Sequence, residues 1–330
     1  MSARPDTDAL ALVPSAHERR GGKPCDVEEP VDQYLHRPLA ALLARRLEPR
    51  AVTPNQVTVA SGVVGLGAGA AMALGHVAGP PALACGAVLL FASVVLDCAD
   101  GQLARLRGSA SLLGRVLDGA VDVVTPLAVF HGLAVYLLGR GTSFALAWSL
   151  GWAAGASLLW HTTQYDVAKN AYLHHTRPDF DQGGPALVGG AEVATLRREL
   201  AASGARGATA LVGLFALWLE LGRRGGPRAP ERQPPTLACD AERAAYRRRF
   251  AGHMRATRWL GLGTHLALLT ASAVAGAVDA RAILVGWLVM VGPMNLACAA
   301  LVWRRAVLER RFLRDLARLR ADLSVGAARG

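Results

Sequence analysis

Residues 51–96 read AVTPNQVTVASGVVGLGAGAAMALGHVAGPPALACGAVLLFASVVL and contain no Asp, Glu, Lys or Arg. A soluble core helix has no need of such a run, but a pair of membrane spans does, because about 20 apolar residues cross the hydrocarbon core. Gly79-Pro80-Pro81 divides the run into two helices. Gly62, Gly65, Gly67 and Gly69 line one side of the first, and small residues let helices approach closely in lipid. Thr53 is suited to cap that helix and Pro54 to fill its first position.

Outward from this stretch the same pattern repeats. The spacing predicts spans at about 55–74, 82–107 and 110–138, a fourth from about 143 that is uncharged until Asp166, and two more at 259–278 and 282–303. The fold class expected is therefore all-α, a polytopic membrane protein with six spans. Trp148, Trp152, Trp259, Trp287 and Trp303 fall near span ends, as in an aromatic belt. Ahead of the first span, 31–50 is amphipathic, with Leu35, Leu39, Leu42, Leu43 and Leu47 on one stripe, and reads as an interfacial helix. Residues 1–30 are polar, mixed in charge and without a signal-peptide pattern, so a disordered cytoplasmic tail is expected there.

The apolar segment 208–221 is only 14 residues long and contains Glu220. Taken as a seventh span, it would export 223–258, which carries ten Arg against three acids, against the positive-inside tendency. Residues 168–256 are therefore read as one cytoplasmic insertion, 257–304 as the last two spans and 305–330 as a cytoplasmic tail. Both termini then face the cytoplasm of a cell-membrane protein. The chain of 330 residues is 52% hydrophobic and 18% charged, with a net charge of +11. Its Arg residues cluster between apolar segments and lack the aromatic–basic pattern of a nucleic-acid module, so no nucleic-acid partner is expected. Five cysteines, an odd number without C-x-x-C spacing, suit small hydrophobes better than disulfides or zinc.

The chemistry-bearing residues follow the charge-free run. Asp97 and Asp100 are one turn apart on the second span, Asp118 and Asp122 one turn apart on the third, and the short connection between brings the two faces together near the membrane surface. A charge buried in lipid costs at least about 2.5–3.5 kcal/mol, so four carboxylates in one pocket make sense if cations neutralise them. Carboxylate-only ligation suits Mg²⁺ or Mn²⁺ rather than zinc, and two such ions can clamp a pyrophosphate. Gly101, Ala104 and Gly114 leave room for a ligand against the helix backbone, and Arg105 is a fixed cation for phosphate oxygens. The plainer readings are helix packing for Gly101 and Gly114, and a juxtamembrane positive charge for Arg105.

The full pattern D-x2-D-G-x2-A-R-x8-G-x3-D-x3-D is met at all eight fixed positions, Asp97 through Asp122. It resembles the signature of the CDP-alcohol phosphotransferase family, and the likeness extends to Thr53-Pro54-Asn55-x-Val57-Thr58 and to six spans. The resemblance implies transfer of a phosphate-bearing alcohol from a CDP-alcohol donor to a hydroxyl acceptor among membrane lipids, with release of CMP, by a homodimer. It implies Asp97, Asp100 and Asp118 as metal ligands and Asp122 as general base and a further metal ligand. Gly101, Ala104, Arg105 and Gly114 would hold the CDP moiety. A different class of function, an ion- or proton-coupled transporter using the intramembrane acids, would need inverted repeats, and none is legible. Two substrate classes stay open, CDP-diacylglycerol with a small polar acceptor and a soluble CDP-amino alcohol with a lipid hydroxyl; the leaning is to the first, and a phosphorylated acceptor would need cations beyond Arg105. Arg107, Arg115 and Lys169 lie at suitable depths to supply them. His161, Gln164, Tyr165, Asp166, Lys169 and Asn170 form a polar end to the fourth span, while His265 and Asn295 read as interhelical hydrogen-bond partners.

Overall fold

The computed structural model describes residues 26–109, 111–177, 190–204 and 239–327, together with Leu237 and scattered positions between 206 and 216. Among the described residues there are helices and no strands. A π turn, Asp32–His36, leads into α1 (Arg37–Leu47). Ala40 and Ala44 of α1 are buried and Leu35, Leu39 and Leu42 are exposed, while Leu47, from the same predicted stripe, packs with Val57 and Leu103.

Local chemistry sets the ends of the next four helices. α2 (Pro54–Ala78) opens with a capping box, in which the Thr53 side chain accepts from Gln56 N and Gln56 Oε1 accepts from Thr53 N. α3 (Pro80–Arg107) follows Gly79 directly and stops at Gly108, whose φ of 59° is left-handed. α4 (Leu112–Gly139) is capped by Ser111, whose hydroxyl accepts from Gly114 N at 3.0 Å. α5 (Phe144–Thr176) is capped by Ser143.

α2 lies between α3 and α4, and glycine decides how closely. A Cβ on Gly132 would collide with the Gly69 carbonyl, and one on Gly69 with the Ala128 carbonyl, so the α2 and α4 backbones touch. Met72, Leu83, Leu90, Leu133 and Trp287 are fully buried around this contact. The second half comprises α6 (Gly190–Ala202), α7 (Asp240–Thr257), α8 (Leu262–Gly276) and α9 (Arg281–Val289). A π turn at Met290–Met294 then joins α9 to α10 (Asn295–Ala327). Tyr136 on α4 donates to the Gly276 carbonyl at 3.2 Å. His161 of α5 lies 2.9 Å from both His265 of α8 and Asn295 of α10, the interhelical role expected of the latter two.

Among the described residues, five helical stretches are long and apolar enough to cross a membrane: Pro54–Ala78, Pro80–Arg107, Leu112–Gly139, Asp240–Gly276 and Arg281–Arg318. The fourth expected span is helical for 33 residues as α5 but is not among the five. Its three Trp, together with His161, Thr162 and Thr163, dilute its hydropathy.

Three stretches differ from the sequence expectation or fall outside it. Residues 1–25 of the expected tail lie outside the described residues, but its last part does not trail into solvent. Val27, Glu28 and Glu29 are buried, because the Val27 carbonyl accepts from the Tyr165 hydroxyl at 2.7 Å and both glutamates find partners inside the fold. The last span continues as helix to Ala327, since Phe312 and Leu316 bury against the stacked Tyr246 and Phe250 of α7. Most of 208–221 and all of 221–236 lie outside the described residues. Val193 and Val212 of the insertion pack on Val116 of α4.

Candidate active site

Asp97 and Asp100 project from the last turns of α3, and Asp118 from the first turns of α4, across the short Gly108–Ser111 connection. A carboxylate oxygen from each of these three lies within 4.8 Å of the others. Asp100 is buried, and Thr58 Oγ1 on α2 donates to its Oδ2 at 2.5 Å, which fixes the carboxylate toward the cluster. The donor set is oxygen only, anionic and convergent, which fits a hard divalent cation and not zinc. Asp122, one turn beyond Asp118, lines the same cavity but stands outside this cluster, so the geometry separates it from the three ligand candidates.

The cavity has a volume of 410 Å³, and all eight positions of the signature line it. Gly114 is needed for packing as well as for space: a Cβ there would lie 2.9 Å from Asn55 Oδ1 and 3.1 Å from Ser111 Oγ. A Cβ on Gly101 would point at the Arg105 guanidinium, 3.4 Å away. The wall formed by α3 and α4 thus keeps Gly101, Ala104, Arg105 and Gly114 together, as the pattern suggested.

The three residues expected to hold an acceptor phosphate do not share one fate. Arg115 and Lys169 line the cavity; Arg107 does not. The Arg107 guanidinium donates to the carbonyls of Leu47, Glu48, Arg50 and Val52, which ties the end of α3 to the α1–α2 connection. It is a clamp on the backbone, because the carbonyls of Leu47 and Glu48 at the end of α1 and of Arg50 and Val52 in the connection after it converge on it. Lys169 donates to Asp166 Oδ1 at 2.5 Å and sits 4.8 Å above the Tyr165 ring. Of the polar end of α5, Thr162, Tyr165, Asp166 and Lys169 reach the cavity, while His161 is held in the interhelical network.

The wall facing α3 and α4 was anticipated only in α5, where Tyr165, Asp166 and Lys169 stand; its contributions from Glu28, Glu29, Asp32 and Arg37 of the N-terminal segment and from the start of α8 were not. Glu28 pairs with Arg37. Glu29 Oε2 accepts from the Thr264 backbone N–H at 2.9 Å and from its hydroxyl at 3.0 Å, at the N-terminus of α8. Burial and the neighbouring Asp32 push the Glu29 carboxyl up to about 8, against the pull of Thr264 and Lys169. Asp32 Oδ1 is 2.8 Å from His36 Nδ1. A Cβ on Gly261 would collide with the Glu29 carboxylate and one on Gly263 with that of Asp32. The sequence offered only a run of acids in a segment whose composition resembles a tail.

A second cavity of 430 Å³ lies between α4 and α5 and is lined mainly by apolar side chains such as Val123, Leu127, Phe130, Trp152 and Leu159. The two cavities share Asp122, Thr162, Asp166 and Leu262.

Comparison with known proteins matches residues 51–188 to the family described as CDP-alcohol phosphatidyltransferase. A phosphatidylinositol phosphate synthase from Corynebacterium glutamicum is 33% identical over 109 residues, covering 32% of this chain and 44% of the relative. The chain thus spans less than half the length of that relative.

Proposed function

We propose, from the premise that residues 51–188 belong to the CDP-alcohol phosphatidyltransferase family, that this multi-pass membrane chain is a phosphotransferase of phospholipid synthesis. Its donor in this reading is CDP-diacylglycerol, its acceptor a small hydroxyl compound and its leaving group CMP. The observation that carries the reading is the meeting of a carboxylate-lined cavity and an apolar one at Asp122. A donor with a polar nucleotide at one end and acyl chains at the other needs both.

In this mechanism Gly101, Ala104 and Gly114 admit the nucleotide against α3 and α4, and Arg105 holds its phosphate oxygens. Asp97, Asp100 and Asp118 would hold a pair of Mg²⁺ or Mn²⁺ ions, which would supply positive charge for the donor's pyrophosphate. Asp122 takes the proton from the acceptor hydroxyl. The acceptor oxygen forms its bond to the phosphorus that bears the diacylglycerol. The anhydride bond to CMP breaks, and CMP leaves with the electron pair. Thr58 keeps the Asp100 carboxylate oriented.

Purified protein in micelles, given CDP-diacylglycerol, an acceptor and Mg²⁺, is expected to release CMP, to stop with EDTA and to restart with Mg²⁺ or Mn²⁺. Full activity after rigorous chelation would exclude the metal role. Absence of CMP from any CDP-alcohol would favour the transport reading of the intramembrane acids. The reading carries an orientation, with cavity, termini and 168–256 on the cytoplasmic side, supported by the Arg excess of 223–258. A cysteine introduced near position 230 should resist an impermeant label in intact cells. The family resemblance also makes the working unit a homodimer, which light scattering of the purified protein measures.

A further inference from the structure

Resting on the transferase reading, we propose that the cytoplasmic insertion is a buttress for the carboxylate cluster: its helix α6 holds the first turns of α4, and with them Asp118, in register with Asp97 and Asp100. Val193, Leu196 and Leu200 are the positioning residues. Periodicity gives this part of α4 two faces. Gly114, Asp118 and Asp122 follow one another at four-residue intervals and line the cavity. Val116 lies two residues from both Gly114 and Asp118, about 200° round the helix, so it stands on the opposite face with Leu112 one turn before it. Val116 is nevertheless fully buried. Among the described residues, the apolar cluster around it consists of Leu112 and Leu113 of α4 and otherwise of insertion residues, with Val193 and Val212 buried in it.

The pattern of α6 suits this contact. Val193, Leu196 and Leu200 recur at i, i+3 and i+7 and form one stripe, while Glu192, Arg197, Arg198 and Glu199 are exposed. Further along, α4 is seated against α2 by glycine: Cβ atoms added to Gly62, Gly65 and Gly69 would meet Val121, Thr125 and Ala128. That seam begins beyond Asp118. Before it, α4 meets α2 at Gly114, where a Cβ would lie 2.9 Å from Asn55 Oδ1. Helix ends with few packed apolar contacts are the parts that open at least cost. The two sides of the cluster are thus secured by different means. The Thr58 hydroxyl fixes Asp100 at 2.5 Å, and apolar docking on the back of its helix fixes Asp118. Metal ligands tolerate displacements of only about 0.2 Å, so loosening the back of α4 should weaken metal binding before it weakens the fold.

The test is Mn²⁺ binding to the full chain in micelles with CMP present, read by electron paramagnetic resonance. The parent is compared with Val193→Asp, Val193→Ala and Val193→Ile. A carboxylate placed in the apolar cluster should undock α6, and the apparent Kd for Mn²⁺ should rise by at least about tenfold, the scale for groups that support a metal ligand from behind. Val193→Ala should give a smaller rise, and Val193→Ile should stay near the parent. The Mg²⁺ concentration needed for CMP release should follow the same order, with most of the parental rate recovered at saturating Mg²⁺. Unfolding midpoints are measured on the same preparations. A lowered midpoint with unchanged Mn²⁺ affinity makes the contact merely structural and overturns the proposal. Parental affinity in Val193→Asp overturns it as well, and if that variant does not fold, Val193→Ala decides by the same criterion. A parent chain that binds no Mn²⁺ overturns the metal role and this proposal with it. A parent that binds Mn²⁺ but releases no CMP overturns the transferase reading instead, and the affinity comparison then still decides whether α6 supports the cluster.

Discussion

The α3–α4 wall of the cavity draws its carboxylates from two helices consecutive in the chain, whereas the facing wall joins Glu29 to Thr264 across a separation of 235 residues. In the first wall, helical periodicity alone brings the groups to one side, and the turn at Gly108 brings the two sides together. In the second, an acidic segment is drawn in by bonds that exist only once α5 and α8 have assembled. The first wall is thus a property of the local sequence and suits chemistry that must not vary. The second is a property of the assembled fold and can change without disturbing the first.

The largest effect should come from the first wall. Asp122→Asn removes the proposed base while keeping its shape, so turnover should fall by about 10²–10⁴. CMP affinity should stay close to that of the parent, because the other three Asp are untouched. CMP release and CMP binding on the same preparation measure the two, and turnover near the parent's rate would exclude Asp122 as base.

Next in size is the scaffold that holds that wall. Gly132→Val forces apart the α2 and α4 backbones, at an expected loss of about 1–3 kcal/mol, the usual range for overpacking. It should appear as a lower unfolding midpoint in detergent. An unchanged midpoint would mean that the Gly69–Gly132 approach does not govern stability.

The second wall should reveal itself through pH. Glu29 has a folded value of about 8 against the ordinary 4.5, so between these the folded chain binds more protons than the unfolded one. Stability therefore falls as pH rises through that window and levels off above it. Thermal unfolding from pH 5 to 9 should follow this slope, and Glu29→Gln should flatten it. A slope retained in the variant would assign it to other groups. Smallest is the local cap: Thr53→Ala removes one side of the capping box and should cost about 1 kcal/mol, read as a modest shift in the same unfolding curve.

These expectations follow the line between what was legible in the sequence and what was not. The charge-free run, Gly79 and Thr53 set helix ends through short-range chemistry, so the first two spans could be read directly, while the Ser111 cap of the third emerged only from the structure. The signature residues share a cavity because three- and four-residue spacings place side chains on one helical face. Arg107 shows the limit: its depth suited a phosphate, but only the folded chain gathers the carbonyls of residues 47–52 around it. Glu28, Glu29 and Asp32 were illegible for the same reason, since a run of acids ahead of a helix looks alike whether it trails in solvent or turns inward. The fourth span read correctly as a helix, yet its Trp and His residues leave it less apolar than the other spans.

Gly261 and Gly263 carry a consequence for how the protein can change over generations. Every single-base change in a glycine codon that yields another amino acid adds at least a Cβ, and at these two positions a Cβ meets the carboxylate of Glu29 or Asp32. Neither site therefore has a one-step substitution that leaves the wall intact. Change in this wall is channelled to Glu28, Glu29, Asp32, Asp166 and Lys169, where a new side chain alters what faces the cavity and leaves the α8 backbone in place.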